Sequence, residues 1–525
     1  MNIDKDLLSI QEARDLSKRA KEAQLEFKHF SQDQVDRIVK AMADAGYAAA
    51  ERLAKMASEE SGFGKWQDKV IKNQFATKNV WDSIKDLKSC GVVESLHNGK
   101  VLKIAEPMGV VAALIPSTNP TSTAMFKAII SLKCRNGIVA SPHPRTVNCT
   151  AEALKVVADA AEKAGAPKGL IQCLTTPTLE GTDALMHDRN IGVILATGST
   201  PMVKAAYSSG KPAYGVGSGN VPAFLEKTAN VKKAVQDIVY GTTFDNGTLC
   251  SSEQAMIVDR PVREQAIKEA KAAGCYFVNA EEKKKLGNAI LNSGRINPEI
   301  VGKPATWIAK YAGFDVPDST TVLVAECEAV GKSEPLSYEK LSPILAFYTV
   351  DGWLEGCHKC IDLLQFGGVG HTMVIHSNDQ EVIMKFALEK PAFRILCNTV
   401  SSIGAVGYTT ALMPSLTLGP GTWGGSIISE NVTAKHLMNI KYLAFEVNPV
   451  NQGNSISNLG DTITRSQSYL QEIEERLRAR AGNPVINEPF KGNQSAKPAE
   501  KKDDAAEPKT LSKAEIQKII EEFKF

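Results

Sequence analysis

GVVAALIP, residues 109–116, is a short unbroken apolar run, the pattern of a strand buried on both faces, as parallel strands are. It leads into IPSTNPTST (115–123), and a helical stretch follows through Leu132. GIVAS (137–141) reads as the next strand and 146–164 as the next helix. LIQCL (169–173), IGVILAT (191–197) and VPAFLE (221–226) read as further strands with helical segments between them. This alternation predicts an α/β fold, a parallel sheet joined by right-handed crossovers. Sheets of that kind bind ligands where loops leave the carboxyl ends of their strands.

Outward from this stretch, the N-terminal part is helical. Ser31 and Gln34 form a capping-box signature, and Val35, Ile38, Val39 and Met42 then repeat at helical spacing. Gly62 and Gly64 mark the stop of the following helix. A second series of strands and helices over about 254–435 reads as a second α/β domain, as a chain of 525 residues requires more than one core. The last part differs. Residues 483–510 are rich in Pro, Lys, Asp, Glu and Ala and read as a flexible linker. LSKAEIQKIIEEFKF (511–525) is an amphipathic helix, with Ser512 and Glu515 as its cap and Ile516, Ile519, Ile520 and Phe523 as its apolar stripe. A tethered helix of this kind either docks on its own body or seeks a partner groove, and the long polar linker favours a partner.

Composition narrows the function. The net charge is +2, so no large field favours nucleic acid or a membrane surface. The first residues carry acids and no apolar core of a signal peptide, and no apolar run is long enough to span a bilayer, so a cytoplasmic location is expected. Ten cysteines scattered in such a chain are expected to be reduced, with one or two of them chemical.

GTTFDNGTLCSSEQAMIV (241–258) places Cys250 in a polar loop just ahead of an apolar strand. A thiolate there can add to a carbonyl carbon, and nearby backbone dipoles can lower its pKa. Asn119, between Thr118 and Pro120, offers an amide donor suited to an oxyanion site, or serves only as a turn residue before Pro120. Gly198 follows a strand and precedes a helix, and Gly215, Gly217 and Gly219 form a second glycine-rich bend. Neither is the standard dinucleotide fingerprint. Glu339 in YEKLSP (338–343) can hold a ribose diol, and His371 in GGVGHT (367–372) can act as acid or base or touch a leaving thiol. Cys357 and Cys360 lack a second pair at zinc spacing, so no metal is expected.

Taken together, several stretches resemble the CoA-acylating branch of the aldehyde dehydrogenase family. They are DKVIKNQFA (68–76), residues 104–136, SPHPR (141–145), residues 202–220, FDNGTLCSSEQ (244–254), EKLSP (339–343), GGVGHT (367–372) and SLTLGPGTWGGSIISENV (415–432). The resemblance is to the aldehyde dehydrogenase half of bifunctional alcohol/aldehyde dehydrogenases and to microcompartment propionaldehyde and acetaldehyde dehydrogenases. It implies a Rossmann-like cofactor domain over 1–240, with a flap strand near 92–105, and an α/β catalytic domain over 241–435. It also implies an oligomerisation strand at 436–450, a partly helical extension at 451–482, and an encapsulation-type helix at 511–525.

By the same resemblance Cys250 is the nucleophile, and Asn119 with the Cys250 backbone N–H forms the oxyanion hole. Pro116, Ser117, Thr118, Ser141, Pro142, His143, Gly198, Ser199, Gly217, Gly219 and Glu339 line the NAD site, and His371 is an acid/base or CoA contact. The implied reaction takes acetaldehyde or propionaldehyde, NAD and CoA to acyl-CoA and NADH. The implied partners are a second copy of the chain, as dimer or tetramer, and shell or core proteins of a bacterial microcompartment, in whose lumen the enzyme would reside. Hydrolytic relatives carry a general-base Glu in the segment matching 215–222, and here GVGSGNVP has no acid. This favours transfer to CoA, with hydrolysis to a free acid as the alternative.

Overall fold

The computed structural model describes residues 4–448 and Val450. Four helices open the chain, Lys5–Phe27, Gln32–Ala48, Ala50–Ser61 and Trp66–Gln74. The second starts at a reciprocal cap: the Gln34 N–H donates to the Ser31 hydroxyl, and the Ser31 N–H donates to the Gln34 side chain. Its Val35, Ile38, Val39 and Met42 are fully buried. Gly62 ends the third helix in the left-handed region, at φ 68°, a conformation that costs a glycine little.

Strands β1 (Gly91–Leu96) and β2 (Val101–Pro107) pair antiparallel. The chain then builds a five-stranded parallel sheet from β3 (Val110–Ile115), β4 (Gly137–Pro142), β5 (Ile171–Cys173), β6 (Ile191–Thr197) and β7 (Ala213–Val216). Its order is β5-β4-β3-β6-β7, so β3 is central. The chain winds outward on one side of β3 and then on the other, which places the switch point between β3 and β6. Lys127, on the helix Pro120–Lys133, spans that point by donating to the carbonyls of Leu114 and Leu195 at 2.7 and 2.8 Å.

The apolar run at β3 has a simple cause. Val111, Ala113 and Ile115 enter one core, with the helices Gln32–Ala48, Pro120–Lys133 and Val147–Lys163. Val110, Ala112 and Leu114 enter the opposite one, with Lys5–Phe27, Leu179–His187 and Thr200–Ser208. A strand covered on both faces has no polar position to spare.

The second sheet comprises β8 (Val221–Leu225), β9 (Glu253–Asp259) and β10 (Cys275–Phe277), then, beyond a small hairpin of β11 (Leu291–Asn292) and β12 (Arg295–Ile296), β13 (Val322–Glu326), β14 (Ile344–Val350), β15 (Gly370–His376) and β16 (Ala392–Cys397). All seven strands are parallel, in the order β10-β13-β14-β9-β8-β15-β16. Central β9 repeats the logic of β3: Ala255 and Ile257 face one core, Met256 and Val258 the other.

One boundary differs from the sequence reading. The sequence pattern groups VPAFLE with residues 1–240, but β8 pairs with β9 and β15, so the change of sheet falls at 217–220. A buried apolar strand looks alike in either sheet; only its partners assign it. Strand β7 inside the glycine-rich bend was also unread, because Gly215 interrupts its pattern. Finally β17 (Met438–Ala444) pairs with β2 to complete a separate three-stranded antiparallel sheet. The expectations for 451–482, 483–510 and 511–525 lie outside the described residues.

Candidate active site

Asn119 leaves the carboxyl end of β3 and stands at the N-cap of Pro120–Lys133, yet its side chain makes no capping bond. An Asn at this position ordinarily accepts from the first turn. Here the amide Nδ2 donates to Thr118 Oγ1 at 3.1 Å and to the carbonyl of Thr248 at 3.3 Å, and Oδ1 accepts from the Lys72 ammonium. The side chain is therefore turned across to the Cys250 loop.

That loop is under backbone strain. Asp245, Asn246 and Gly247 follow one another at φ 49°, 52° and 73°, a region non-glycine residues seldom enter. Surrounding bonds hold it. The Asp245 carboxylate is fully buried and accepts from Lys69 at 2.9 Å, from Lys72, from Thr248 Oγ1 at 2.6 Å and from the Lys65 N–H at 2.7 Å. The Asp245 N–H donates to Asp68 at 2.7 Å, and Asn246 Nδ2 to the Gly302 carbonyl at 2.9 Å. Asp68, Lys69 and Lys72 all come from the helix Trp66–Gln74. Burial pulls the Lys72 ammonium down to about 8, against the opposing pull of Asp245.

Cys250 follows, half-buried, just ahead of β9. Backbone dipoles can lower a thiol placed here, and they do act on it, but the net direction is upward: burial pushes the thiol up to about 12, and the Glu339 carboxylate adds to the rise. The Arg394 guanidinium and the backbone N–H groups of Cys250 and Ser251 oppose it. Desolvation outweighs dipoles where the thiol is screened from water.

The glycine-rich bend closes over this cysteine. A β-carbon on Gly219 would lie 1.8 Å from the carbonyl oxygen of Cys250 and 3.3 Å from Cε1 of His371, and one on Gly368 would lie 2.0 Å from the carbonyl oxygen of Gly219. Glu339 is tied to the same bend, accepting the Gly219 N–H at 2.8 Å. Ser218 and the Asn220 N–H also favour its charged form, while burial raises its pKa.

His371 is fully buried, and burial and Arg394 hold its pKa well below the usual value, so it is neutral. Arg394 donates to Thr372 Oγ1 at 3.2 Å, and Thr372 Oγ1 lies 2.9 Å from His371 Nδ1. Arginine can only donate, so the pairing that satisfies the hydroxyl has Thr372 donating to Nδ1. This leaves the ring proton on Nε2, which has no hydrogen-bond partner. Among the described residues its other hydrogen bonds go to the carbonyls of Ser429, Gly370 and Gly419.

The residues expected at the cofactor line the carboxyl ends of the first sheet. Pro116, Ser117 and Thr118 follow β3 and are half-buried. A β-carbon on Gly198 would meet nothing within 4 Å. Ser199 is the N-cap of Thr200–Ser208 and makes no side-chain cap, so the first N–H groups of that helix are open to an anion. Gly217 lies beside Thr200. Ser141 is less available than expected: it is buried and shares a 2.7 Å hydrogen bond with Thr182. Pro142 ends β4, and His143 Nδ1 accepts the Arg145 N–H at 3.1 Å. The open turn at Gly198 and the free helix end fit a dinucleotide pyrophosphate.

On the Asn119 side a narrow apolar crevice is lined by Ile71, Phe75, Phe244, Leu249, Ile403 and Val406, with Lys72 on its wall. Cys357 and Cys360 lie apart, buried as free thiols on Gly352–Gly367 with Lys390 donating to Cys357. Among the described residues no group of three His, Cys, Asp or Glu side chains could hold a metal, and no helix is long and apolar enough to cross a membrane.

Sequence reading missed Lys69, Lys72, Asp245, Thr372 and Arg394. The signal for the first two lay in DKVIKNQFA, where Asp68, Lys69, Lys72 and Asn73 share one helical face. A charged face reads as solvated until something packs on it.

The profile of the aldehyde dehydrogenase family matches residues 7–293. The bifunctional aldehyde-alcohol dehydrogenase of Escherichia coli (strain K12) is 45% identical over 441 residues, covering 83% of this chain and 50% of its own length. The chain thus spans about half the length of the curated relatives it matches first. An acetylating aldehyde dehydrogenase from Geobacillus thermoglucosidasius superposes with a TM-score of 0.84 at 50% identity, over 86% of this chain and 99% of that one. A propionaldehyde dehydrogenase from the Clostridium phytofermentans fucose utilisation bacterial microcompartment superposes with a TM-score of 0.74 at 29% identity, over 82% and 96%.

Proposed function

The chain belongs to the aldehyde dehydrogenase family, in its acylating branch, and from that premise we propose that it converts a short aldehyde, NAD⁺ and CoA into acyl-CoA and NADH through a thioester on Cys250. The observation that carries this reading is the closure of the acid-free bend 217–220 over Cys250, with the Asn119 amide on the other side of the same loop. A Cys250 thiolate adds to the aldehyde carbon, and Asn119 Nδ2 with the Cys250 N–H steadies the resulting alkoxide. NAD⁺, held by Gly198, Ser199 and residues 116–118, supplies the hydride acceptor. The buried, neutral His371 keeps an N–H on Nε2 for the thioester oxygen or the incoming CoA sulfur. With no acid in 215–222 to activate water, the thioester waits for the better nucleophile.

The similarity to the acetylating and propionaldehyde enzymes supports an aldehyde of two or three carbons. In this reading the chain assembles into oligomers through the three-stranded sheet, and residues 511–525 carry it into a microcompartment lumen.

The test is NADH formation from propionaldehyde and NAD⁺ with and without CoA. Acyl-CoA formation strictly dependent on CoA, abolished in Cys250→Ala with NAD⁺ binding retained, is the expected result. CoA-independent turnover to free acid would instead make this a hydrolytic enzyme, with Glu339 the nearest carboxylate to the bend. A reporter fused to residues 483–525 that stays diffuse in cells with assembled shells would remove the microcompartment role.

A further inference from the structure

Lys72 is fully buried on Trp66–Gln74, and its ammonium reaches three groups: the Asp245 carboxylate, Asn119 Oδ1, and Thr248 Oγ1 at 3.5 Å. Lys69, one residue after Asp68, donates to the same carboxylate at 2.9 Å and to the carbonyl of Thr118 at 3.2 Å. Two buried ammonium groups therefore face one buried carboxylate, with the half-buried Asp68 behind it. The two ammonium groups balance the two carboxylates, and Lys72 is the cation of this cluster that touches the Asn119 side chain. Lysine can only donate, so the contact assigns the carbonyl oxygen of Asn119 to Lys72 and turns its NH₂ toward Thr248, two residues ahead of Cys250.

We propose that Lys72 is the positioning residue of the oxyanion site. It orients and polarises the Asn119 amide and sets a buried cation behind it where the thiohemiacetal oxygen becomes negative. This inference rests on the role given to Asn119 above. The unused N-cap geometry of Asn119 supports it, since the side chain gives up a helix-capping bond for this one. So does the electrostatics of the clamp. A cation in a site screened from water acts at larger effect than in solvent, and it needs no reorganisation during reaction. Burial alone disfavours this lysine's charge, so a fold selected for stability would place a neutral side chain there.

The experiment is a double-mutant cycle on the full chain with Lys72→Met, Asn119→Ala and both together. It reads the single-turnover NADH burst without CoA, NAD⁺ affinity and Tm. Lys72→Met leaves Asp245 paired with Lys69, Thr248 and the Lys65 N–H, so the loop keeps its anchor. The expected result is a burst rate about 100-fold lower in Lys72→Met, the scale of one lost oxyanion donor. NAD⁺ affinity should stay within about threefold, and Tm should fall by only a few degrees, since Asp245 keeps Lys69. The double variant should be no slower than Asn119→Ala alone by more than about threefold, as residues acting through one another are not additive. Lys72→Gln keeps a donor without the charge and carries the same cycle if Lys72→Met does not fold; it should be intermediate.

A wild-type burst rate in Lys72→Met, or fully additive losses, overturns the proposal while leaving Asn119 in place. A rate loss accompanied by a collapse in Tm and in NAD⁺ binding overturns it as well, since Lys72 would then be structural. An unimpaired Asn119→Ala variant sinks the oxyanion reading itself, and is distinguishable from the other outcomes.

Discussion

A β-carbon at Gly219 would overlap the carbonyl oxygen of Cys250 at 1.8 Å, so this glycine sets how closely the bend covers the nucleophile. Gly219→Ala must push the Cys250 loop aside, and a misplacement of about 1 Å costs on the order of 100-fold in rate. Steady-state kcat checks this; a value within threefold of wild type would show that the loop tolerates the shift. The thiol itself makes a second residue-scale prediction. With its pKa pushed up to about 12, the thiolate fraction rises tenfold per pH unit throughout the neutral range. Alkylation by iodoacetamide without NAD⁺ should therefore climb steadily from about pH 6 to about pH 9 with no plateau. A plateau near neutrality would mean that the thiolate is already formed in the free enzyme. Cysteine and glycine were both legible in the sequence as the loop and the bend. Their contact was not, because residues 219 and 250 meet only where β8 and β9 lie side by side.

At the scale of elements, two helices hold the site. Every residue of Pro120–Lys133 is buried, so it is packed on all sides rather than on one stripe. Phe126 is 0% exposed within it, and Phe126→Ala should cost roughly 3–5 kcal/mol, read as a lower denaturant midpoint. The helix Trp66–Gln74 instead acts through charge. Asp245→Asn would leave its Lys69 and Lys72 buried without a carboxylate, a loss of about 3–5 kcal/mol. The pH dependence follows from the sign of the Asp245 shift. Its carboxyl is held below the usual value by Lys69 and Lys72 against the cost of burial. Its stabilising contribution is present above the unfolded carboxyl's pKa of about 3.9 and is lost as pH falls through the lower folded value. Acid unfolding followed by circular dichroism should show that step in the wild type and not in Asp245→Asn. DKVIKNQFA carries its charges on one helical face, and the strained turn 245–247 packing onto that face turns it into a core of charges.

At the scale of the whole molecule, the described residues form parallel sheets of five and seven strands and a three-stranded antiparallel sheet whose strands pair only with one another. Strand β17 is an edge of that third sheet and exposes Tyr442 and Leu443 at 62% and 44%, surface that an assembly would cover. Light scattering should give a multiple of the 56.6 kDa chain mass, and Leu443→Asp should shift the distribution toward the single chain; a monomeric wild type would dismiss the assembly surface. The sequence by itself determined the α/β class, the positions of most central strands and helices, and the loops that carry Asn119, Cys250 and Glu339. These are written in contiguous residues, as runs, periods and turns. His371, expected in a glycine-rich loop, is the second residue of β15, because the strand starts at Gly370 inside the glycine run. Only the tertiary structure decided that 221–225 belongs to the second sheet, that Lys72 grips Asn119, that Arg394 sets the state of His371 through Thr372, and that the Cys250 thiol is raised and not lowered. Each of these depends on which distant groups share a dry space, and desolvation and Coulomb interaction follow distance in space, not position along the chain.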